Sequence, residues 1–155
     1  MARPVVYDNV SVEGFKELEK ELERLGGIAA KKAVARAALR KAMQPMHKMA
    51  VSLAPDDPRT GPPYDLKKSI KISSSVKVGR SYKKMLRTQG AVEIYMGPTK
   101  FGYPQAIMQE FGTVRGVAPV RYMTRAWQSH SRNAVNIIKA EMWAGIAKKA
   151  KKLGV

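Results

Sequence analysis

The chain has 155 residues, of which 45% are hydrophobic and 26% charged, a composition that fits one folded domain over residues 1–155. It contains no cysteine, which excludes disulfides, thiolate metal sites and cysteine nucleophiles. No apolar run approaches the roughly 18 residues that span a bilayer. The first residues lack the apolar core of a signal peptide, so we expect no membrane role and a protein that acts where it is made.

The charge of the chain is strongly positive, with 29 basic and 12 acidic residues giving a net charge of +17. Residues 1–66 carry 11 basic and 9 acidic side chains, a net of +2, whereas residues 67–155 carry 18 basic and 3 acidic ones, a net of +15. Such asymmetry indicates an acidic partner, either nucleic acid or a negatively charged protein surface. Composition alone does not choose between them.

Two helices are predicted in the first third of the chain, after an extended leader at residues 1–10. Apolar residues recur at spacings of three and four over Val12–Leu25, which predicts a helix capped by Ser11 and ended by Gly26-Gly27. An alanine-rich helix follows over Ile28–Leu53, and its small residues would admit another helix, from this chain or from a neighbouring subunit. Its predicted buried row is Val34, Ala38, Leu39, Ala42, Met46, Met49 and Leu53.

A stiff loop and a small antiparallel sheet are predicted in the middle of the chain. Residues 54–64 hold four prolines and a glycine, and Asp65 is placed to cap a single helical turn. Apolar and polar residues alternate over residues 70–78, which predicts a strand or a hairpin pair, and again over 91–96, which predicts another strand. The basic stretch 79–90 between them is predicted to be a loop.

A short helix and a long helix complete the predicted fold. The first covers Pro104–Phe111, with proline in its first turn and Gly112 after its last. The second starts near residues 119–122, runs to about Leu153 and has a basic end over residues 139–155. Its predicted buried row is Met123, Ala126, Trp127, Ala134, Ile137, Ile138, Met142, Ile146 and Leu153. The predicted fold class is α+β: N-terminal helices, a small antiparallel sheet, a short helix and a long C-terminal helix.

The sequence offers no catalytic or metal-binding constellation. His47 and His130 lie in different predicted helices without acidic residues at ligand spacing, so structural or surface roles are expected. The aspartates Asp56, Asp57 and Asp65 lack the alternating spacing of a calcium loop, and no glycine-rich phosphate cradle is present. We therefore expect no enzyme activity, no metal, no cofactor and no small-molecule substrate.

Glu110 is the most notable carboxylate, because few other acids surround it in the sequence. A catalytic role would need a partner acid, base or metal, and the sequence places none beside it. We expect a structural pairing instead, either with one of the many arginines or with backbone donors.

The basic residues leave two interpretations open. Lys83, Lys84, Arg87 and the lysines of residues 148–152 could contact phosphates non-specifically. Arginines also alternate with aromatic residues in the mixture that single-strand binders use; these are Arg115, Arg121 and Arg125 with Phe111, Tyr122 and Trp127. Against that interpretation, Met123 and Trp127 fall on the apolar row of the long helix and are expected in the core.

Three stretches of the chain form a series of motifs. They are Val12–Leu25 (V-E-G-F-K-E-L-E-K-E-L-E-R-L), Ala54–Ile70 (A-P-D-D-P-R-T-G-P-P-Y-D-L-K-K-S-I) and Glu110–Thr113 (E-F-G-T) with Ala118–Trp127 (A-P-V-R-Y-M-T-R-A-W). Over residues 11–130 the chain resembles the tailed-phage tail-component family typified by gene product ten of a lambdoid siphophage, to which minor tail protein Z of phage lambda is related. Val120 and Thr124 replace the family's usual phenylalanine and second proline. The residues that match the family motif are Thr60, Gly61, Glu110, Phe111, Gly112, Thr113 and Pro119.

The resemblance implies a structural protein of the neck or tail end, which completes the tail and joins it to the head as part of an oligomeric ring of six copies. The implied partners are other copies of the chain and neighbouring head–tail or tail proteins, in a virion assembled in the host cytoplasm; contact with packaged DNA is left open. The hypothesised contact residues are Val114, Arg115, Val117, Arg121 and Arg125. The alternative is a basic protein that binds nucleic acid non-specifically.

Overall fold

A computed structural model describes residues 15–55, 57, 59, 61, 64–74 and 91–154 of the chain. Its elements in chain order are α1 (Phe15–Arg24), α2 (Ile28–Leu53), α3 (Leu66–Ser69), β1 (Ile70–Ser73), β2 (Tyr95–Pro98), α4 (Tyr103–Phe111) and α5 (Tyr122–Leu153). The predicted α+β fold is confirmed. The leader, the Ser11 cap, Thr60 and the loop at 79–90 lie outside the described residues.

Helices α2 and α5 form the antiparallel pair around which the other described elements pack. Lys41 on α2 contacts Glu141 on α5, whereas Ala50, further along α2, shares a cluster with Ala126, near the start of α5. The buried residues fall at multiples of four positions along both helices. They are Val34, Ala38, Ala42, Met46 and Ala50 on α2, and Tyr122, Ala126, Ala134, Met142 and Ile146 on α5. For the buried alanines Ala38, Ala42 and Ala50, the partner is therefore a helix of the same chain.

The predicted buried row of α2 is largely confirmed, with one residue missed. Leu39, Met49 and Leu53 are only partly buried, and Ala50, which was not predicted, is completely buried. A step of four residues turns about 400° around the helix, so a buried row at this spacing runs obliquely. Leu39, Met49 and Leu53 have the spacing of an apolar face that runs parallel to the helix axis, and they therefore lie beside this oblique row.

Helix α1 covers one side of the α2–α5 pair. Leu18 and Leu25 are buried in a cluster with Val34 and Ala38 of α2 and with Met142 and Ile146 of α5. The predicted end of α1 is confirmed, because Gly26 has a φ of +74°, a backbone conformation in which glycine carries no side-chain penalty. The outward face of α1 holds its glutamates, of which Glu21 pairs with Arg24 at 2.7 Å.

The two strands form an antiparallel ribbon in which Ile70 pairs with Pro98 and Ser73 with Tyr95. The strand predicted over 91–96 is therefore displaced toward the C-terminus, since β2 covers only the residues that lie opposite β1. Residues 91–94 are described without regular structure. A strand is assigned where a partner pairs with it, and residues 75–78, the predicted continuation of the first strand, lie outside the described residues.

The prediction that Trp127 lies in the core is wrong. Its side chain is 54% exposed, although Ala126 beside it is completely buried. One residue turns a helix by about 100°, which carries Trp127 away from the buried row that Tyr122 and Ala126 define. Met123 is partly buried and packs against the cluster around Tyr122.

Candidate contact surface

The end of α4, the beginning of α5 and the segment between them form one compact unit. We call the segment Gly112–Arg121 the connecting loop. Of the seven residues that match the family motif, Gly112, Thr113 and Pro119 lie in this loop and Glu110 and Phe111 directly before it. The loop also contains four of the five hypothesised contact residues. Its geometry shows which of these side chains hold the fold and which face outward.

Glu110 on α4 caps the first turn of α5. Its carboxylate accepts hydrogen bonds from the backbone N–H of Met123 at 2.8 Å and of Thr124 at 2.9 Å, and from the Thr124 hydroxyl at 2.5 Å. The first N–H groups of a helix have no partner within the helix and carry its positive dipole end, so a carboxylate is well suited there. Of the two pairings predicted for Glu110, the one with backbone donors is confirmed. This carboxylate is therefore occupied by a structural role.

The same carboxylate influences its buried neighbour Tyr122. The Tyr122 side chain is only 1% exposed, and its burial raises its pKa to about 12, with the negative charge of Glu110 acting in the same direction. Both causes disfavour a second negative charge at this place. Tyr122 therefore stays neutral in the folded protein well above the pH at which an exposed tyrosine ionises.

Gly112 ends α4 in a conformation that requires glycine. Its φ is +76°, and a Cβ at this position would lie 2.7 Å from the carbonyl oxygen of Val117 and 3.1 Å from Cδ of Pro119. The Gly112 N–H donates to the Met108 carbonyl at 2.8 Å, which closes the last turn of α4. The sequence prediction that this helix ends at Phe111 and that Gly112 follows its last turn is confirmed.

The connecting loop is held by hydrogen bonds along its length. The Thr113 N–H donates to the Val117 carbonyl at 3.0 Å, and the Val117 N–H donates to the Thr113 hydroxyl at 3.2 Å. Near the other end, the N–H groups of Val120 and Arg121 both donate to the Gln109 carbonyl, at 2.7 and 3.3 Å. The direction of the loop is thus set by α4 at both ends.

Several apolar side chains of this unit face outward. Phe111 is 70% exposed and Val114 is fully exposed, and Val117 at the other side of the loop is partly so. On α4 the exposed apolar residues recur at helical spacing, whereas Ala106 and Glu110 form the buried side. These exposed residues are Tyr103, Ile107, Met108 and Phe111. Apolar residues grouped on one exposed face are typical of a contact surface.

Sequence reasoning did not identify this outward face of α4. The sequence of α4 shows an apolar face and another face that contains Ala106 and Glu110. This pattern does not indicate which of the two faces is buried. Here the cap that Glu110 provides for α5 decides the orientation. The sequence signal that could have indicated the buried face is the carboxylate Glu110, one helical turn after the small residue Ala106.

The three arginines of the hypothesised contact are all exposed. None of Arg115, Arg121 and Arg125 makes an ion pair with another residue that the structure describes. Arg121 has a φ of +56° and ψ of 39°, and it is the one non-glycine residue with a positive φ among the described residues. A left-handed conformation costs an ordinary L-residue about 1–2 kcal/mol.

The second part of the family motif lies near the start of α3. Thr60 is outside the described residues, and Gly61 is exposed with its carbonyl accepting from the Tyr64 N–H at 3.0 Å. The Tyr64 ring meets Phe101 edge-on, with ring centroids 5.9 Å apart. Asp65 caps α3 as predicted, because its carboxylate accepts from the Lys68 N–H at 3.2 Å.

A local ion pair also shapes this proline-rich loop. Both Nε and Nη2 of Arg59 donate to the Asp57 carboxylate, at 3.0 and 2.8 Å. The side-chain hydrogen bond from Arg59 lowers the pKa of Asp57 to about 2. Turn and pairing roles therefore account for Asp57 and Asp65, and Asp56 lies outside the described residues.

The described part of the chain contains no group of three or more His, Asp or Glu side chains placed to hold a metal ion. His47 Nε2 lies 2.9 Å from the Ile70 carbonyl oxygen, a structural contact between α2 and β1. None of the helices in the described ranges combines the length and the apolar character needed to cross a membrane.

Comparison with known proteins identifies the chain over most of its length. The family described as "Bacteriophage HK97-gp10, putative tail-component" matches residues 16–112, which is 97 of the 155 residues. The match includes Glu110, Phe111 and Gly112 and ends before Thr113 and Pro119; the relation to minor tail protein Z stays a prediction. A search of curated proteins and of solved structures found no match. The chain belongs to the HK97-gp10-like family of bacteriophage tail components, and so to the structural proteins of the phage virion.

Proposed function

We propose that this tail component acts at the neck or tail end, where it completes the tail and joins it to the head as one of six copies in a ring. In this proposal residues 1–155 form a single domain without catalytic activity, which assembles in the host cytoplasm. The observation that carries the proposal is the connecting loop, because it combines a fixed backbone with exposed apolar and arginine side chains.

A fixed loop suits a subunit contact for an energetic reason. Ordering a flexible segment on binding costs free energy, whereas a loop already held by hydrogen bonds pays little of this cost. The Thr113–Val117 and Gln109–Arg121 hydrogen bonds hold the loop before any partner arrives. Val114 at its tip then presents an apolar side chain in a defined place. In a ring, such a patch meets a different patch on the next subunit.

The conformation of Arg121 supports a contact role for its side chain. Glycine or asparagine would occupy a left-handed position with less strain than arginine. The strained position therefore favours a role for the Arg121 guanidinium in binding, because its backbone N–H donates to Gln109 whatever its side chain is. In our proposal Arg115, Arg121 and Arg125 face an acidic neighbouring protein of the head or tail.

Charge reversal at the contact tests this proposal directly. The triple variant Arg115→Glu, Arg121→Glu, Arg125→Glu should fold and yet give unjoined heads and tails, counted by electron microscopy after complementing a phage that lacks the protein. The matched control replaces Lys20, Lys48 and Lys71, three exposed lysines elsewhere, by glutamate. Normal infectious particles from the contact variant, or equal loss in the control, would overturn the assignment of this site.

A single substitution separates assembly from stability. Arg121→Gly should raise the free energy of unfolding by about 1 kcal/mol, because it relieves the left-handed strain, and at the same time reduce the number of joined particles. A variant that is destabilised and assembly-deficient together would show that Arg121 serves the fold alone.

Non-specific nucleic-acid binding remains the second candidate, because 18 of the 29 basic residues lie in residues 67–155 with only 3 acids. Binding to phosphates releases counterions, so affinity should fall steeply as salt rises. A gel-shift titration of double- and single-stranded DNA at about 50 mM salt and above measures this slope. No shift at the lowest salt would remove this candidate. The particle assay is independent of this result, because in our proposal the joining of heads to tails depends on the arginine contact whether or not the chain binds DNA.

A further inference from the structure

The α2–α5 pair is covered by α1 on one side only. On another side the two helices border an open groove of about 480 Å³. Apart from Val34, the residues of its floor are small: Ala33 and Ala37 from α2, and Ala144 and Gly145 from α5. Gly145 lies so close to α2 that a Cβ there would be 2.8 Å from Cγ1 of Val34. The groove is therefore shallow and apolar along its base.

The rim of this groove is basic. Lys148, Lys149 and Lys152 line it from α5, and none of them makes an ion pair with another described residue. The groove's single described carboxylate, Glu141, is 2.6 Å from Lys41 Nζ, so its charge is already matched. Three lysine charges are left for a partner.

We propose that this groove binds an acidic amphipathic helix of a neighbouring protein, a contact that goes beyond the proposed ring and does not depend on it. Small residues on the floor let the backbone of a third helix approach closely, at the distance at which helices pack. Glutamates or aspartates flanking the apolar row of that helix would then meet Lys148, Lys149 and Lys152. A helix that binds in a groove makes its main contacts through apolar side chains at positions i, i+3 and i+4.

Two other occupants fit the groove less well. A second copy of this face would bring lysine against lysine, and like charges at an interface are unfavourable. A nucleic acid would find charge but no aromatic or arginine side chain among the described lining residues on which to stack its bases, and its phosphates gain nothing from an alanine floor. An acidic helix uses both the apolar base and the basic rim.

The test uses a blocked, fluorescent peptide of about five helical turns, with alanine and leucine on one face and glutamate on both flanks. Binding to the full chain is followed by fluorescence anisotropy. Replacing Lys148, Lys149 and Lys152 by glutamine should weaken binding about tenfold or more. The same change at Lys20, Lys48 and Lys71 removes equal charge outside the groove and should weaken it less than about twofold.

A second pair of variants tests the floor of the groove. Ala144→Leu fills it, whereas Ala140→Leu adds the same side chain at an exposed position of α5 outside the groove. Only Ala144→Leu should weaken peptide binding, again by about tenfold. No binding by the unaltered chain, equal effects of the paired variants, or equal binding of a scrambled peptide would overturn the proposal. The proposal would also be overturned if an oligonucleotide of equal charge bound the unaltered chain and lost as much affinity as the peptide in Ala144→Leu. That result would indicate a site for polyanions in general.

Discussion

Glu110 shows how one residue can connect two helices that are separated by a loop. It lies at the end of α4, is only 6% exposed, and accepts three hydrogen bonds from the first turn of α5. Most helix caps come from the residue just before the helix. Here that residue, Arg121, makes no side-chain cap, so the cap comes from the preceding helix and fixes the angle between α4 and α5.

Removing this cap should destabilise the protein measurably. Glu110→Ala leaves two partly buried N–H groups of α5 without this partner, and we expect a loss of about 2–3 kcal/mol in the free energy of unfolding. Urea unfolding checks this value. Glu141→Ala, which removes only the ion pair with Lys41, should cost less than about 1 kcal/mol, and equal losses in the two variants would contradict the capping role.

Tyr122 should make stability fall at high pH. Its pKa is raised from 10.0 to about 12 in the folded protein, so between these values the unfolded chain releases the proton while the folded chain keeps it. Stability contributed by the neutral tyrosine is complete below about pH 10 and is lost as pH rises toward 12, by about 2–3 kcal/mol in total.

The measurement compares the unfolding free energy of the unaltered chain and of Tyr122→Phe across this range. Lysines titrate in both proteins, so only the difference between them reports Tyr122. A constant difference from pH 9 to 12 would show that the folded-state pKa of Tyr122 is not raised.

At the scale of elements, the α2–α5 pair depends on close approach at positions four residues apart. Alanine occupies five of these ten buried positions, and Gly145, beside the row, faces the stiff, buried side chain of Val34. The pair therefore gains stability from shape as well as from apolar area. Its small residues also leave the groove on the side that α1 does not cover.

A double-mutant cycle tests this close approach. Gly145→Ala adds helix propensity worth about 1 kcal/mol, but the overpacking against Val34 should cost more, about 1–3 kcal/mol. The net effect should be destabilising in the unaltered chain and stabilising by about 1 kcal/mol in a Val34→Ala background. Urea unfolding of the four proteins gives the coupling energy, and additive effects would show that the helices do not touch there.

At the scale of the whole molecule, the charge of +17 shapes assembly. Copies that gather in a ring repel one another, and salt screens this repulsion. The acidic residues of α1 reduce it only locally, because their helix also carries Lys16, Lys20 and Arg24. Salt also screens the attraction to an acidic neighbour, so binding to such a neighbour should weaken as salt rises.

We therefore expect self-association to increase with salt. At fixed protein concentration, the proportion of oligomer measured by sedimentation velocity should rise as ionic strength goes from about 0.05 to 0.5 M. In the contact variant each glutamate lowers the charge by two, so the net charge falls from +17 to +11, and the weaker repulsion should let oligomers form at lower salt. Oligomers that dissociate as salt rises would show that opposite charges hold the copies together.

The sequence by itself determined the helices, the charge and the family. Periodicity placed α1, α2, α4 and α5 within a few residues of their bounds, because a helix is a local structure whose pattern is written in adjacent turns. Turn chemistry placed Gly26, Asp65 and Gly112, since backbone conformation and capping are also local. The three motifs pointed to the tail-component family that residues 16–112 match.

Only the tertiary structure decided which faces are buried. Trp127 and Phe111 are apolar residues at helical spacing, yet they are exposed because the helices beside them pack on Ala126 and Ala106. Glu110 is polar, yet it is buried because Met123 and Thr124 in the first turn of α5, 13 and 14 residues later, supply its donors. Burial depends on neighbours that are distant in the chain, and local periodicity does not contain that information. This is why the sequence predicted the helices of this protein but not which of their residues are exposed at the surface that we propose as its contact.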